Sequence, residues 1–180
     1  CHGMIIEGHE HVAVAISEVW RGLNDTRTYR DCMPELTSLE ETRPDHMDAV
    51  LELKLPAISG RFEGSLDVLE RNEPERLKLR LEGKGGLGFV VGEAVLLMNE
   101  SGDGTDIHYR AEVQVGGQIA RLGQRMIAGV SQEMAGNFFT AFEQVMQGGE
   151  QPRALNPVIA MIRLLWHSLL HMLGVSRRDR

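Results

Sequence analysis

Between residues 49 and 115 apolar and polar side chains alternate with a period of two, and beyond residue 118 the period lengthens to about three and a half. Ala49, Leu51, Leu53 and Leu55 alternate with Glu52 and Lys54, and Phe62, Gly64, Leu66 and Val68 with Arg61, Glu63, Ser65 and Asp67. Leu77, Leu79 and Leu81 alternate with Lys78, Arg80 and Glu82, and Ile107, Tyr109, Ala111, Val113 and Val115 with His108, Arg110, Glu112 and Gln114. Each run predicts a strand with one dry and one wet face. Phe89 to Met98 is more uniformly apolar. Turn signals at Asn72-Glu73-Pro74, Gly83-Lys84-Gly85-Gly86 and Gly102-Asp103-Gly104 separate the runs, so an antiparallel meander follows. Upstream, a strand is expected from Met4 to about Ile16. Ser17 then caps a short helix through Leu23, with Glu18 in its first turn, and Asp25 to Cys32 make a second helix stopped by Pro34.

After Gly116-Gly117, Ile119, Leu122, Met126, Val130, Met134, Phe138, Phe142 and Val145 form one stripe along a helix of about thirty residues. That stripe must be buried, and the dry face of a curved sheet is the available surface. The expected fold class is α+β, a helix-grip arrangement in which an antiparallel sheet wraps a long C-terminal helix. Gly123, Gly129 and Gly136 sit inside the predicted helix, each costing about 1 kcal/mol relative to alanine. Either the sheet backbone approaches closely there, or space is kept for a ligand. Met126, Met134 and Met146 on the apolar side suit irregular or variable contents. Residues expected to line a cavity are Phe62, Leu79, Phe89, Tyr109, Val113, Met126, Val130, Met134 and Phe138, chosen because they fall on dry strand faces or on the helix stripe.

A further helix is expected from Ala154 to Val175, beyond the linker 148–153. Val158, Ile159, Met161, Ile162, Leu164, Leu165, Trp166, Leu169, Leu170, Met172 and Leu173 surround most of it, while Asn156, Arg163, His167 and His171 recur on one edge. Residues 155 to 173 would reach about 28 Å, nearly a bilayer span, but Arg163 in mid-segment would cost about 2.5 to 3.5 kcal/mol there. A helix lying in the interface lets Arg163 and the histidines face headgroups. Membrane contact is then expected from Ile162, Leu165, Trp166, Leu169 and Leu173. A spanning anchor, packing on the chain's own domain, and pairing of two copies into a homodimer through this helix are the rival readings. Charge favours the interface: residues from 153 onward carry net +4, including Arg177 and Arg178, against −11 for the rest of a chain whose total is −7. The basic end suits anionic lipid, and the acidic body argues against nucleic acid.

With 180 residues and 42% apolar content the chain holds one core plus appendages. Residues 1–3, before Met4, read as an expression remnant; 4–147 form the domain and 176–180 a basic tail. Two cysteines make no disulfide framework, and with no signal peptide ahead of the first strand a cytoplasmic setting is expected, Cys32 being an idle thiol. Glu7, His9 and His11 share one strand face and could present ligands to a metal, but a solvated face is favoured and no metal site is assigned. The glycines from Gly83 to Gly88 fit a hairpin turn, since no helix with a basic residue follows to make a phosphate loop. No catalytic motif names a nucleophile or an acid/base pair.

Three segments resemble a known family. Ser17-Glu18-Val19-Trp20-Arg21-Gly22-Leu23-Asn24-Asp25, Gly83-Lys84-Gly85-Gly86-Leu87-Gly88-Phe89-Val90-Val91-Gly92 and Val115-Gly116-Gly117-Gln118-Ile119-Ala120-Arg121-Leu122-Gly123-Gln124-Arg125 are similar to CoxG, the carbon monoxide dehydrogenase G-subunit family of the START-like (SRPBCC) helix-grip superfamily, as is Phe138-Phe139. The family often has Pro-Gly after the second helix, where this chain has Cys32-Met33-Pro34-Glu35. The resemblance implies a non-catalytic protein at the cytoplasmic face of the inner membrane that recruits a molybdenum-containing dehydrogenase. It also implies a hydrophobic cavity for a respiratory quinone or isoprenoid lipid, with no covalent cofactor. Two rivals stand beside this carrier: a tethering adaptor without ligand, and an enzyme of the same fold acting on a lipid-like substrate through His108 or Tyr109.

Overall fold

A computed structural model describes residues 2–55 and 57–148. Seven strands form one antiparallel sheet: β1 (His2–Val12), β2 (Leu36–Arg43), β3 (His46–Lys54), β4 (Ser59–Asn72), β5 (Arg76–Gly85), β6 (Gly88–Ser101) and β7 (Gly104–Gly116). The order β1-β7-β6-β5-β4-β3-β2 is the expected meander, with the first strand returning to pair with the last. Helices α1 (Ile16–Leu23) and α2 (Thr26–Cys32) link β1 to β2, and α3 (Gly123–Met146) follows β7. The expectations for residues 149–180, including the tail helix with Ile162, Leu165, Trp166, Leu169, Leu173, Arg177 and Arg178, lie outside the described residues. No described helix is long and apolar enough to cross a membrane.

Four local readings change. β1 ends at Val12 rather than near Ile16, because Val14 turns inward to 6% exposure and the Thr105 hydroxyl donates to its carbonyl at 2.7 Å. The N-cap of α1 is Ala15, with no side-chain cap, and Ser17 lies inside the first turn. Asp25 does cap α2, accepting from the Arg27 amide at 3.0 Å. β2 has no alternating signature because a register shift between Leu36 and Ser38 places its apolar residues, Leu36 and Leu39, three apart. The turn after β5 falls at Gly86-Leu87, so β5 continues through Gly85.

The long helix is also interrupted. A 3₁₀ turn (Gln118–Leu122) ends at Gly123, whose φ of 78° is left-handed and open to glycine, and only then does α3 begin. Within α3 the fourfold spacing of the expected stripe also drifts about 40° per step around the helix. Ile127 is buried at 6% exposure and Met126 is turned out at 47%, whereas Met134, Phe138, Phe142 and Val145 keep the expected side. α3 runs along the free edge of β1. The Gln132 side-chain amide donates to the Glu7 carbonyl at 2.8 Å, the Ala13 amide to Glu143 at 3.1 Å, and the Gln147 side-chain amide to the Ala13 carbonyl at 2.9 Å. These contacts satisfy edge groups that would otherwise be open to another strand.

Two apolar cores hold the helix to the concave face. One joins Val12, Leu77, Leu79, Met98 and Ile107 to α1, α2 and Phe138, Phe139 and Phe142 of α3. The other joins Met4, Ile6, Phe62, Val113 and Val115 to Ile58, Ile119 and Ile127.

Candidate functional site

Strand alternation and register place the side chains of Met4, Ile6, Gly8, Glu10 and Val12 on the concave face of β1, opposite Val113, Ala111, Tyr109, Ile107 and Thr105 of β7. The same face continues through Gly92, Ala94, Leu96 and Met98 of β6, Leu77, Leu79, Leu81 and Gly83 of β5, Gly64, Leu66 and Val68 of β4, and Met47 and Ala49 of β3. The two cores occupy opposite corners of this surface. A diagonal band lies between them, from Gly8 and Tyr109 through Ala94 and Leu81 to Gly64, Gly83 and Ala49. Leu81, Tyr109 and Met134 are half-buried and belong to neither core.

The band is built from small residues. A Cβ placed on Gly83 would meet nothing within 4 Å, which marks open space above the concave floor. At Gly92 the reason for glycine differs: a Cβ there would collide with the Glu112 carbonyl and lie 2.7 Å from the Val113 Cα, so this position serves the bending of the sheet. On α3, Gly129 is exposed to solvent, and a Cβ on Gly136 would meet Glu10 Oε1 at 3.4 Å, an ordinary contact. The helix glycines therefore do not mark close contact with the sheet backbone. The open space at Gly83, between the two cores, makes a trough on the concave floor, with Met134 half-buried on α3.

The expected lining residues divide. Tyr109 and Met134 face this region, the half-buried Val130 packs against the second core, and Phe62, Leu79, Val113 and Phe138 are buried in the flanking cores at 5 to 9% exposure. Phe89 and Met126 do not line it. Phe89 pairs with Gly116 and stands on the convex face at 37% exposure, its ring lying where a Gly116 side chain would be. β6 is apolar on both faces there, with Leu97 also 38% exposed, so periodicity does not tell inside from outside. Met126 is turned away because it lies about 120° around the helix from Phe138, whereas Ile127 falls within about 20° of it. Sequence reasoning misses Glu10 and Gly83, since a single strand read alone does not show which face its glycines and charges take.

At the end of the trough toward α1 and α2 lies a cavity of about 30 Å³, lined by Leu23, Tyr29, Met47, Leu66, Val68 and Leu79 and rimmed by Asn24, Asp45 and Arg71. Arg71 closes this rim, donating to Asn24 Oδ1 and Asp45 Oδ1 at 2.8 Å each. The Tyr29 hydroxyl donates to the Leu23 carbonyl at 2.6 Å, and burial pushes its pKa far above the usual phenol value. Burial likewise raises the Cys32 thiol to about 11, which suits an inert core residue. Burial, with Glu10 nearby, raises Tyr109.

Glu7, His9 and His11 do share a face, the convex one. His11 Nδ1 pairs with Asp106 at 2.6 Å, His108 Nε2 with Glu7 at 2.6 Å, and the His9 and His108 rings stack at 4.3 Å. Among the described residues no three such groups converge as metal ligands. His108 and Tyr109 take opposite faces of the sheet, so they share no common site.

Residues 8–147 match the family model for the G subunit of carbon monoxide dehydrogenase (CoxG). No curated protein matches the chain. Among solved structures, a conserved protein from Geobacillus kaustophilus superposes with a TM-score of 0.77 at 29% identity, over 81% of this chain and 96% of its own. A START superfamily protein from Mycobacterium smegmatis superposes with a TM-score of 0.63 at 15% identity, over 80% of this chain and 97% of its own. A protein from Thermus thermophilus gives 0.59 at 14% identity, over 81% and 98%. The fold is START-like.

Proposed function

This chain belongs to the CoxG family, the G subunits of carbon monoxide dehydrogenase, and from that membership we propose that it is a non-catalytic carrier of an apolar molecule, a respiratory quinone or isoprenoid lipid. The open space above Gly83, between two separate cores, carries the reading. A domain with nothing to hold would gain by filling that space, since unfilled volume forfeits dispersion contacts. The carrier works at the cytoplasmic face of the inner membrane, held there by the apolar segment 154–175 with Arg177 and Arg178 at anionic headgroups, and it brings a molybdenum-containing dehydrogenase to the same surface. In this division of labour the enzyme performs the chemistry and the START-like domain exchanges the apolar molecule with the bilayer.

Vesicle flotation tests the membrane and partner roles. Full-length protein and a form ending at residue 148 are mixed with anionic phospholipid vesicles and a purified molybdenum-containing carbon monoxide dehydrogenase. Full-length protein is expected to float and to carry the dehydrogenase activity with it, while the shortened form leaves both in the soluble fraction. Flotation of the dehydrogenase without this protein, or of the shortened form as well as the full chain, would overturn the tethering role.

A further inference from the structure

We propose that Glu10 and Tyr109 form the polar end of the trough and select an apolar ligand whose head carries a hydrogen-bond donor, a hydroxyl or phenol, over one that offers only carbonyl or ether oxygen. The inference rests on the carrier reading and adds the chemistry of the ligand's head. On β1 the inward positions Met4, Ile6 and Val12 are all buried, and Glu10 shares their face, opposite the fully buried Ile107. A carboxylate in that row is out of keeping with its neighbours. Its Oε1 lies 3.4 Å from where a Gly136 side chain would begin, which places the carboxylate against α3 at that turn. The Tyr109 ring lies over Gly8 on the neighbouring strand β1, filling the volume that any larger residue would take. The two polar groups thus stand side by side where the trough meets α3.

None of the ion pairs among the described residues includes Glu10. Those of the adjoining strands, His11 with Asp106 and His108 with Glu7, lie on the convex face. A half-buried carboxylate costs solvation that a hydrogen-bond donor can return. An ionised carboxylate only accepts, so a hydroxyl head meets it favourably, whereas a carbonyl or ether head sets lone pairs against it. The Tyr109 hydroxyl can both donate and accept, and supplies a second contact to the same head.

If the cargo exists in two redox forms, the preference acts on its potential. A quinone becomes its dihydroxy form by taking up two electrons and two protons, and a tenfold tighter hold on that form raises the two-electron potential of the bound couple by about 30 mV. The bound molecule would then be reduced more readily than the same molecule in the bilayer.

The test is titration calorimetry of the full chain with para-nonylphenol and with its methyl ether, which differ in the donor and little in shape. The unsubstituted protein is expected to bind the phenol about tenfold or more tighter than the ether, the range of one charge-assisted hydrogen bond. Glu10→Gln and Glu10→Met, each shown to be folded by its thermal transition, should bring the ratio below about threefold. Equal binding of the two probes, or a preference retained in both variants, overturns the inference and leaves the carrier reading intact. Absence of binding by both probes overturns the inference and the carrier reading together.

Discussion

Replacing Gly83 by valine separates an open trough from a packed core. The backbone at Gly83 is extended and a Cβ there meets nothing within 4 Å, so the new side chain enters free space. A β-branched residue also suits a strand better than glycine, by about 0.5 to 1 kcal/mol. The substitution should therefore leave stability unchanged or raise it by up to about 1 kcal/mol, a gain of about 2 to 4 °C in Tm for a domain of this size. Binding should move the other way, because the added methyl groups occupy the floor on which an apolar ligand would lie. Overpacking of a filled core would instead cost about 1 to 3 kcal/mol. Gly92→Val supplies the contrast: its Cβ would press on the Glu112 carbonyl and the Val113 backbone, neither of which can step aside, and it should destabilise the domain. Thermal melts and calorimetric titration with para-nonylphenol read both quantities. A Gly83→Val protein that melts several degrees lower would show that the space is not there, and one that is stable and binds unchanged would remove the trough from ligand binding.

Three further outcomes follow from particular contacts. Ile127→Glu should unfold or strongly destabilise the domain while Met126→Glu leaves its stability within about 0.5 kcal/mol of the parent in thermal melts, a check on which side of α3 is buried. Arg71→Leu removes the hydrogen bonds to Asn24 and Asp45; because the Arg71 and Asp45 side chains are 39% and 52% exposed the stability cost should stay below about 1 kcal/mol, but dissociation of bound para-nonylphenol, followed by its phenol fluorescence in stopped flow, should quicken severalfold. His46 lies 2.5 Å from Asp67 and 3.2 Å from Asp48, and its hydrogen bond to Asp67 raises its pKa, so its contribution to stability is complete below the unfolded value of about 6.5 and is lost as pH rises through the higher folded value. Melting temperature should accordingly fall over that window in the parent and fall less in His46→Gln.

The strands legible in sequence are those that separate a dry face from a wet one: β5 and β7 keep strict alternation, and β3 and β4 keep it apart from Val50 and the bulge after Val68. β6 hides its orientation because Phe89, Val91, Val95 and Leu97 face outward with almost the apolarity of Val90, Ala94, Leu96 and Met98 facing inward, and Phe89 is misplaced for that reason. β2 hides its existence behind a bulge. In α3 the stripe runs true from Met134 onward and fails at Met126, because steps of four residues drift about 40° each around a 3.6-residue helix and the buried side passes to Ile127 instead. The candidate site is half readable. Tyr109 and Met134 announce themselves as inward and apolar, but a trough is defined by what is missing, and the free space at Gly83 becomes a feature only when the strands lie side by side between the two cores. Glu10 reads as one more solvated charge among Glu7, His9 and His11 until pairing with Ile107 turns it inward.

Native mass spectrometry of the protein isolated gently from membranes, both full-length and ending at residue 148, tests the carrier claim most directly. The account predicts one apolar molecule of quinone or isoprenoid mass retained by both forms and lost from both in Gly83→Val. Ligand-free spectra for both forms, or a ligand present with the tail and absent without it, would contradict a carrier whose cargo lies in the trough.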